Sequence, residues 1–340
     1  MRSMRKILKS IFALFLLAGI CLISACGNNE SGALEKINIA CFPNITHAQA
    51  LFMKGKGNLE QTYGEDIAVN WLTFNAGPSE IEALFAGEVD IGYIGPVPAV
   101  SGYLQSAGDL YIIAGASNGG SVLVARNDID IHSAADLDGR TVAIPQFGNT
   151  QHLSLLALLS ANDLAPTASG GSVNIVQSSN ADIANLMAQG SIDAALVPEP
   201  WGSILEIKHD GRVVLDYDQV DPNGIPSTAV VIVRKDFLDA HPQAVETFIA
   251  AHKEATDYIN ANLDEAMGII NEQISLITQQ LIADDVLRSA FMRLDISWQV
   301  PVSSIMDFAR IGVAEKLFVK MPDEAIVNMK SFSKSANDTD

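Results

Sequence analysis

The feature of the sequence that most restricts its fold is an alternation of short apolar runs with helical patterns from Lys36 to Arg234. The apolar runs are rich in Val, Ile and Ala and lie between turn residues, which is typical of buried β-strands. Because strands joined by helices usually run parallel, the alternation predicts an α/β fold. The polar segment Asn127–Leu137 divides it into two sets, which predicts two lobes.

The expected strands share an apolar centre bounded by Gly, Pro, Asn or Asp. They are Ile37–Cys41, Ile67–Phe74, Val89–Ile94, Leu110–Gly115, Ser121–Arg126, Thr141–Ile144, Val173–Gln177, Asp193–Val197, Arg212–Asp216 and Thr228–Arg234. The expected helices carry apolar residues at helical spacing. They include Ala48–Lys54, Val97–Leu104, Gln151–Leu159, Ala181–Gln189, Trp201–His209, Leu263–Asn271, Gln279–Phe291, Ser304–Leu317 and Asp323–Met329.

A weak internal repeat supports two lobes of similar build. Gly87–Asp90 and Gly190–Asp193 each end a helix, enter a strand and lead to a Pro-x-Pro. Strand ends that face a cleft between two such lobes are the usual place for a ligand. We expect the first lobe to comprise residues 35–125 plus 228–332, the second residues 126–224, and a disordered tail to follow at 333–340.

The N-terminus has the pattern of an export signal. Basic residues precede an apolar run at Ile11–Ile23, which is short for a membrane span and typical of a signal peptide. The following residues resemble a bacterial lipobox with cleavage before Cys26. We expect a signal peptide at 1–25, lipid on Cys26 and a tether at 26–34, so that the exported protein is anchored to the extracytoplasmic face of the cell membrane. Plain cleavage with an incidental Cys26 is the alternative.

The expected mature chain is strongly acidic. The full sequence has a formal net charge of -19, and loss of the four basic residues in the signal peptide changes it to -23. Such a charge argues against a nucleic-acid partner. Removal of Cys21 and lipidation of Cys26 would leave Cys41 alone, so we expect no intrachain disulfide. No His/Cys spacing predicts a metal site, and we expect no cofactor.

The stretch Thr141–Gln151 carries the strongest signal for an anion site. Pro145 ends the expected strand, and Asn149-Thr150 is a helix N-cap signal. A helix that opens here presents free backbone N–H groups and the positive end of its dipole. Asn149, Thr150 and Gln151 add neutral donors, so the stretch is suited to an anion. The alternative is an ordinary capped loop without a ligand.

Other polar, glycine-rich loops follow the expected strands in both sets. Because strand ends meet at one edge of an α/β sheet, we expect these loops to converge on one pocket. They contain no Lys or Arg, so their amides, hydroxyls and backbone N–H groups suit a weakly basic, fully ionised oxoanion such as a sulfonate. The expected ligand-binding residues are Asn44, Thr46, His47, Asn75, Gly77, Gly95, Pro96, Ser117, Asn118, Gly119, Asn149, Thr150, Gln151, Glu199, Trp201 and Thr228.

Three of these residues also have a purely structural explanation. His47 could donate to an oxoanion, cap the next helix or lie in the core. Glu199 would repel an anion, so it could hold the cationic part of a zwitterion such as taurine or pair with a backbone amide. Trp201 could line the cleft or pack within its lobe.

We do not expect an enzyme. Gly115–Gly119 fits the G-x-S-x-G pattern of a hydrolase nucleophile, but that motif requires a helix after the serine. The residues that follow, Ser121–Arg126, have a strand pattern instead. The neutral donors also suit reversible capture better than catalysis.

Five motifs lie in or beside these loops. They are FPNITHA at 42–48, FNAGP at 74–78, IEALFAGEVDIGYIGP at 81–96, GNTQ at 148–151 and VPEPW at 197–201. They resemble motifs of the substrate-binding lipoproteins of ABC importers for aliphatic sulfonates, taurine and nitrate. Together with the two-set layout, the resemblance spans about residues 35–270, and the last helices remain unmatched.

The resemblance implies a two-lobe, periplasmic-binding-protein-like (type II) α/β fold with a central cleft and two hinge crossings that closes on its ligand. It implies a small anionic or zwitterionic ligand, with an alkanesulfonate or taurine-like compound ahead of nitrate, a phosphonate or a thiamine-precursor pyrimidine. The implied partners are an ABC permease with its ATPase. A ligand sensor that reports to a membrane receptor is the alternative.

Overall fold

The computed structural model describes residues 33–221, 224 and 226–328. The chain divides after Leu34, and the fold begins at Glu35. The predicted signal peptide, Cys26 and the predicted tail at 333–340 lie outside the described residues. Within the described ranges, no helix combines the length and the apolarity that crossing a membrane requires.

The strands of this part of the chain form two sheets, one for each lobe. In chain order they are β1 (Lys36–Cys41), β2 (Ala68–Thr73), β3 (Ile91–Ile94), β4 (Leu110–Gly119), β5 (Ser121–Arg126), β6 (Thr141–Ile144), β7 (Asn174–Gln177), β8 (Ala194–Pro198), β9 (Gly211–Leu215), β10 (Ser227–Arg234) and β11 (Leu294–Ile296). The first sheet has the strand order β11-β4-β10-β3-β1-β2, and the second has the order β7-β6-β8-β5-β9.

Parallel pairing brings strand ends together in each sheet. β1 is parallel to β2 and β3, with Ile39 opposite both Trp71 and Ile91. In the second sheet β6 is parallel to β7 and β8, with Val142 opposite Ile175. β10 and β5 run antiparallel to their neighbours. The carboxyl ends of the parallel strands therefore carry the loops in which most of the predicted site residues lie.

In the described part of the chain, two crossings join the sheets, as predicted. At the first, Gly119 and Gly120 have φ angles of 71° and 72°, which residues with a side chain rarely adopt, so β4 ends there and β5 starts on the other sheet. The second crossing leads from β9 to β10. Because β5 pairs with β8 and β9, it belongs to the second sheet, so the first segment of the first lobe ends at Gly119 and not at the predicted residue 125. The apolar pattern of a strand does not reveal which strand it pairs with.

The helices connect these strands and pack on the sheets. In chain order they are α1 (Ala48–Lys56), α2 (Asn58–Tyr63), α3 (Gly77–Phe85), α4 (Pro96–Gln105), α5 (Thr150–Ser160), α6 (Asn180–Ala188), α7 (Trp201–Lys208), α8 (Lys235–Ala240), α9 (Pro242–Ala261), α10 (Leu263–Thr278), α11 (Asp284–Phe291) and α12 (Val302–Ala314). Short 3-10 turns lie at Ile45–His47, Ala134–Leu137, Thr167–Ser169 and Glu324–Ile326.

The C-terminal region differs most from the sequence prediction. α10 ends where Gln279 adopts a left-handed conformation, so the helix predicted over Gln279–Phe291 begins only at Asp284. β11 has three residues, too few for a recognisable alternation, and the sequence did not predict it. Of the helix predicted at Asp323–Met329, only Glu324–Ile326 forms a 3-10 turn.

Each sheet has its own buried core. In the first lobe, Val100 of α4 and Phe308 of α12 belong to one apolar cluster. The second sheet is covered by two clusters, one that contains Leu155 of α5 and one that contains Trp201 of α7. This packing holds the strand ends, and the helices that start after them, in place.

Candidate ligand site between the two sheets

A small cavity, which we call the inner cavity, lies where loops from both sheets meet. The space open to the centre of a water molecule is about 30 Å³, enough for roughly two water molecules. Of the residues that the structure describes, no Lys, Arg, Asp or Glu lines it. The lining residues are Phe42, Asn44, Thr46, His47, Asn75, Ala76, Gly77, Gly95, Pro98, Pro145, Asn149, Thr150, Gln151, Asn180, Pro198 and Thr228.

Four of the described helices begin at the inner cavity. Gly77 opens α3, Gly95 is the N-cap of α4, Asn149 is the N-cap of α5 and Asn180 opens α6. The first residues of a helix have N–H groups without an intrahelical partner, and the dipole places about half a positive charge at that end. The converging N-termini therefore favour an anion without a cationic side chain.

Asn149 caps α5, as the sequence predicts. Its Oδ1 accepts from the His152 N–H at 2.8 Å, and its Nδ2 donates to Gln151 Oε1 at 3.1 Å. Gln151 Nε2 donates to Ser121 Oγ at 2.9 Å. Both side chains thus have partners within the protein, and the loop leaves the backbone N–H groups of Thr150 and Gln151 for a ligand.

Thr150 and Asn180 each bring a buried polar atom without a hydrogen-bond partner to the cavity. The atoms are Thr150 Oγ1 and Asn180 Oδ1. A buried polar group left unpaired costs about 1–3 kcal/mol, so both atoms favour a ligand that pairs with them. The Thr150 hydroxyl can donate to an oxoanion, and the Asn180 carbonyl can accept from an ammonium or hydroxyl group. Gly95 makes room for this arrangement, because a Cβ there would lie 2.3 Å from Thr150 Oγ1.

His47 is a neutral residue of the cavity wall. Its Nδ1 accepts from the Phe42 N–H at 3.1 Å, and the two rings stack with centroids 4.4 Å apart. Burial lowers the pKa of His47 to about 3. A neutral ring that accepts at Nδ1 carries its proton on Nε2, so His47 is a hydrogen-bond donor and not a cation. It makes no side-chain cap to α1.

Asn44 and Trp201 connect the lobes at the edge of the cavity. The indole Nε1 of Trp201 donates to Asn44 Oδ1 at 2.8 Å. This bond fixes the orientation of the Asn44 amide and leaves its Nδ2 as a donor. Trp201 itself belongs to a core cluster of the second lobe and does not line the cavity, which agrees with the packing explanation of this residue.

Glu199 also lies outside the cavity wall. Its buried carboxylate accepts from the Ser203 N–H at 2.9 Å and from Ser203 Oγ at 3.0 Å, and it pairs with Arg293 at 2.9 Å. Burial raises the pKa of Glu199, and the Ser203 N–H and Arg293 oppose that shift. The carboxylate therefore has partners in the protein, in agreement with the backbone-amide explanation.

Four further predicted residues lie outside the cavity wall: Pro96, Ser117, Asn118 and Gly119. Three of them belong to β4, which continues to Gly119 instead of ending at Gly115. Ser117 Oγ donates to the Thr46 carbonyl at 2.9 Å, so it positions a residue that does line the cavity. The Asn118 amide donates to a carboxylate of β11 at 2.9 Å. Neighbouring strand residues point to opposite faces, so the whole run could not face one pocket.

Six cavity residues are absent from the expected ligand-binding residues: Phe42, Ala76, Pro98, Pro145, Asn180 and Pro198. Pro145 comes directly after β6, and Asn180 opens the helix that follows β7. Both therefore satisfy the same strand-exit rule that identified the other residues. A position just after a strand is thus the signal that points to both residues.

These observations define a two-lobe α/β protein with the periplasmic-binding-protein fold, in which loops from both sheets surround one cavity. Residues 31–271 match the model of the NMT1-like family, and the chain belongs to this family. The taurine-binding periplasmic protein of Escherichia coli (strain K12) is 35% identical over 197 residues, which are 58% of this chain and 59% of that protein. The chain thus matches about three fifths of that relative.

Solved structures share the fold. The alkanesulfonate-binding protein SsuA from Xanthomonas axonopodis pv. citri, bound to MOPS, has a TM-score of 0.71 and 18% identity over 86% of this chain and 96% of that chain. The periplasmic aliphatic sulphonate binding protein SsuA from Escherichia coli has a TM-score of 0.66 and 20% identity over the same shares. The predicted two-lobe architecture and the predicted family resemblance are thereby confirmed.

Proposed function

We propose that this chain is an extracytoplasmic solute-binding protein that captures a small organic oxoanion, an alkanesulfonate or a taurine-like compound, for an ABC importer. The inner cavity carries this proposal, because helix N-termini converge there without a charged side chain. A sulfonate is fully ionised and weakly basic, so it gains from these dipoles and requires no cationic partner. The relatives named for taurine and sulfonates support the same class of ligand.

The distribution of donors explains how capture would be coupled to closure. Asn44 and His47 come from the first lobe, and Thr150 and Gln151 come from the second. A ligand that contacts both lobes at once stabilises the closed arrangement through its higher affinity for that state. No covalent bond is made or broken in this cycle. The hydrogen bonds that hold the ligand are reversible, so the ligand can be released to a permease.

Asn180 favours a ligand that carries a hydrogen-bond donor besides its anionic head. Its Oδ1 is buried without a partner, and an anion offers that atom no donor. A hydroxyl or another uncharged donor of an organic oxoanion would donate to it while the sulfonate lies at the N-terminus of α5, because the N-terminus of α6 disfavours a full positive charge at this place.

We also propose that the protein is exported and anchored to the membrane by a lipid. Cys26 would carry the lipid after removal of residues 1–25. In cells, Cys26→Ala should move the protein from the membrane fraction to the soluble fraction. A wild-type protein that is already soluble would contradict the anchor but leave the binding site unaffected.

Thr150→Val tests the proposed capture of an oxoanion. The substitution removes one donor to a charged ligand and keeps the shape of the side chain, so affinity for taurine or ethanesulfonate should fall by about 10-fold to 150-fold. Isothermal titration calorimetry measures the affinity directly. A thermal-shift panel first selects the best ligand, since a ligand at 100 times its Kd adds about 2.7 kcal/mol to the free energy of unfolding.

The matched control is Thr247→Val on α9, outside the cavity, whose hydroxyl donates to a carbonyl of its own helix. It should leave the affinity unchanged. Equal affinities of wild type and Thr150→Val would remove Thr150 from the site, and a panel without any sulfonate that binds would refute the proposed function.

A further inference from the structure

Helix α5 carries leucines that face both lobes. It begins at the inner cavity, where Asn149 is its N-cap, and it packs against α4 and α12 of the first lobe as well as β8 of its own sheet. Successive residues of a helix are about 100° apart, so Leu153 and Leu155 point to nearly opposite sides of it. Both side chains are fully buried. The two leucines must therefore be covered by different parts of the protein.

The partners of these two leucines lie in different lobes. Leu155 belongs to a cluster of the second lobe that includes Leu196 of β8. Leu153 belongs to the cluster of the first lobe, together with Val100 of α4 and Phe308 of α12. Among the residues that the structure describes, the other buried members of that cluster all lie in the first lobe. Leu153 is thus a second-lobe side chain that packs inside the first-lobe core.

The contact of Leu153 continues the contact that the lobes make at the inner cavity. Thr150 lies one turn before Leu153 on the same side of α5 and lines the cavity. Gly95 of the first lobe meets it there so closely that a Cβ at position 95 would lie 2.3 Å from Thr150 Oγ1. A movement that separates Gly95 from Thr150 and opens the cavity therefore also withdraws Leu153 from the first-lobe core.

This geometry connects ligand affinity to an apolar contact. Withdrawal of Leu153 exposes apolar surface to water, so its insertion favours the closed arrangement whether or not a ligand is bound. A ligand that needs contacts from both lobes binds the closed arrangement, and its apparent Kd is the intrinsic Kd divided by the closed fraction of the protein. Leu153 does not line the cavity, yet it can raise the affinity by raising that fraction.

We propose that Leu153 is a positioning residue for lobe closure, whose insertion into the first-lobe core stabilises the closed arrangement without a ligand and so raises the affinity for every ligand by a common factor. This inference rests on the proposed function, because it takes the two lobes to close around a ligand. It goes beyond that function because the contact is made between protein side chains and does not depend on the chemistry of the ligand.

Calorimetric titration of Leu153→Ala with taurine and with ethanesulfonate tests the effect on affinity. The shortened side chain removes most of the contact, so the affinity for both sulfonates should fall by about 10-fold or more. The two losses should be equal, because Leu153 lies outside the cavity wall. Leu153→Met keeps the apolar volume and should recover most of the affinity. Leu153→Val deletes one methylene and provides the same test at a smaller loss of about fourfold.

Leu155→Ala on the same helix is the matched control. It removes the same atoms from the second lobe's own core, which stays buried whether the lobes are open or closed. Urea unfolding without ligand should show a clear loss of stability in Leu155→Ala, and the folded variant should keep the wild-type affinity for both sulfonates. Equal losses of affinity in Leu155→Ala and Leu153→Ala would refute the inference, because they would mean that any damage to α5 weakens binding.

Small-angle X-ray scattering of the ligand-free proteins tests closure itself. Leu153→Ala should have a larger radius of gyration than both the wild type and Leu155→Ala, because more of its molecules are open. Saturating taurine should return Leu153→Ala to the wild-type value, since the ligand favours the closed arrangement.

The remaining outcomes separate this inference from the proposed function. If the sulfonates bind Leu153→Ala and the wild type equally and the two proteins scatter alike, the role of Leu153 in closure is refuted and the proposed function stands. If no sulfonate binds even the wild type, the proposed function fails, and the scattering of the ligand-free proteins alone decides whether Leu153 holds the lobes together.

Discussion

The inner cavity and the cluster around Arg293 occupy neighbouring loops but differ in charge. The cavity is lined by neutral groups, and the cluster consists of ion pairs. Pro198 lines the cavity among neutral groups, and the next residue, Glu199, is fully buried in an ion pair. Arg293 is 11% exposed and pairs with Glu199, Glu206 and Asp216 at 2.9, 2.9 and 3.0 Å. The cluster thus pairs its buried charges within the protein, whereas the cavity presents neutral donors without any charged side chain.

Separating the members of a buried ion pair costs more free energy than separating a neutral donor from its ligand. A buried charge that loses its partner is stranded in a medium of low dielectric constant, whereas a neutral donor that loses a ligand regains water. Arg293 directly precedes β11, which pairs with β4 in the first sheet, and its carboxylate partners belong to second-lobe segments. The cluster therefore ties the lobes together beside the first crossing. Burial alone would lower the pKa of Arg293, but Glu199, Glu206 and Asp216 raise it.

Breaking the charged cluster should have the largest effect on stability. Arg293→Met leaves the buried Glu199 carboxylate without its cation, so we expect the free energy of unfolding to fall by about 3–5 kcal/mol. Urea unfolding measures this change. The double variant Arg293→Met/Glu199→Gln removes both charges and should recover part of the loss.

Arg288 on α11 offers a matched control. It pairs with Asp264, and the two side chains are 58% and 78% exposed. Arg288→Met should therefore change the free energy of unfolding by less than about 1 kcal/mol. Similar losses in Arg288→Met and Arg293→Met would contradict the special role of the buried cluster.

His47 should make the protein less stable in acid. Burial lowers the pKa of His47 to about 3 in the folded protein, and the unfolded chain has the ordinary value of about 6.5. Between these values the unfolded chain binds more protons, so the free energy of unfolding falls by about 2 kcal/mol from pH 7 to pH 5 because of this residue. Urea unfolding of wild type and His47→Gln at both pH values should show a loss that is smaller in the variant by that amount. Equal losses would mean that His47 is not held neutral.

Asn149 should contribute to stability more than to affinity. Its side chain caps α5 and has partners within the protein, so Asn149→Ala should lower the free energy of unfolding by about 1 kcal/mol and change ligand affinity much less than Thr150→Val does. Ser179→Ala is the matched control, since Ser179 caps α6 outside the cavity wall. A large loss of affinity in Asn149→Ala alone would mean that this amide contacts the ligand.

The sequence predicted best where local signals coincide. β6 has the predicted bounds Thr141–Ile144, because Pro145 ends it and Asn149 starts the next helix. The same local rules could not assign β5 to the second sheet, because strand pairing depends on residues far along the chain. They also missed β11, whose three residues pair with β4.

Local signals also predicted part of the cavity lining and missed the rest. The strand-exit rule identified Asn44, His47, Gly95 and Thr150, which the fold brings to one cavity. It failed for Ser117–Gly119, where a glycine-containing run that resembled a loop is part of β4. The residues around Glu199 do not predict its partner, since Arg293 lies far away in the sequence. Ion pairs between distant segments leave no periodic signal.

The most direct test of the central claim is a calorimetric comparison of propanesulfonate with propanesulfonamide at pH 7. The two ligands have nearly the same shape, and the second carries no charge. If converging helix N-termini and neutral donors recognise an oxoanion, the sulfonate should bind at least about 100-fold more tightly, because hydrogen bonds to a charged group are worth roughly twice those to a neutral one and several are made at once. Equal affinities, or tighter binding of the sulfonamide, would contradict the account.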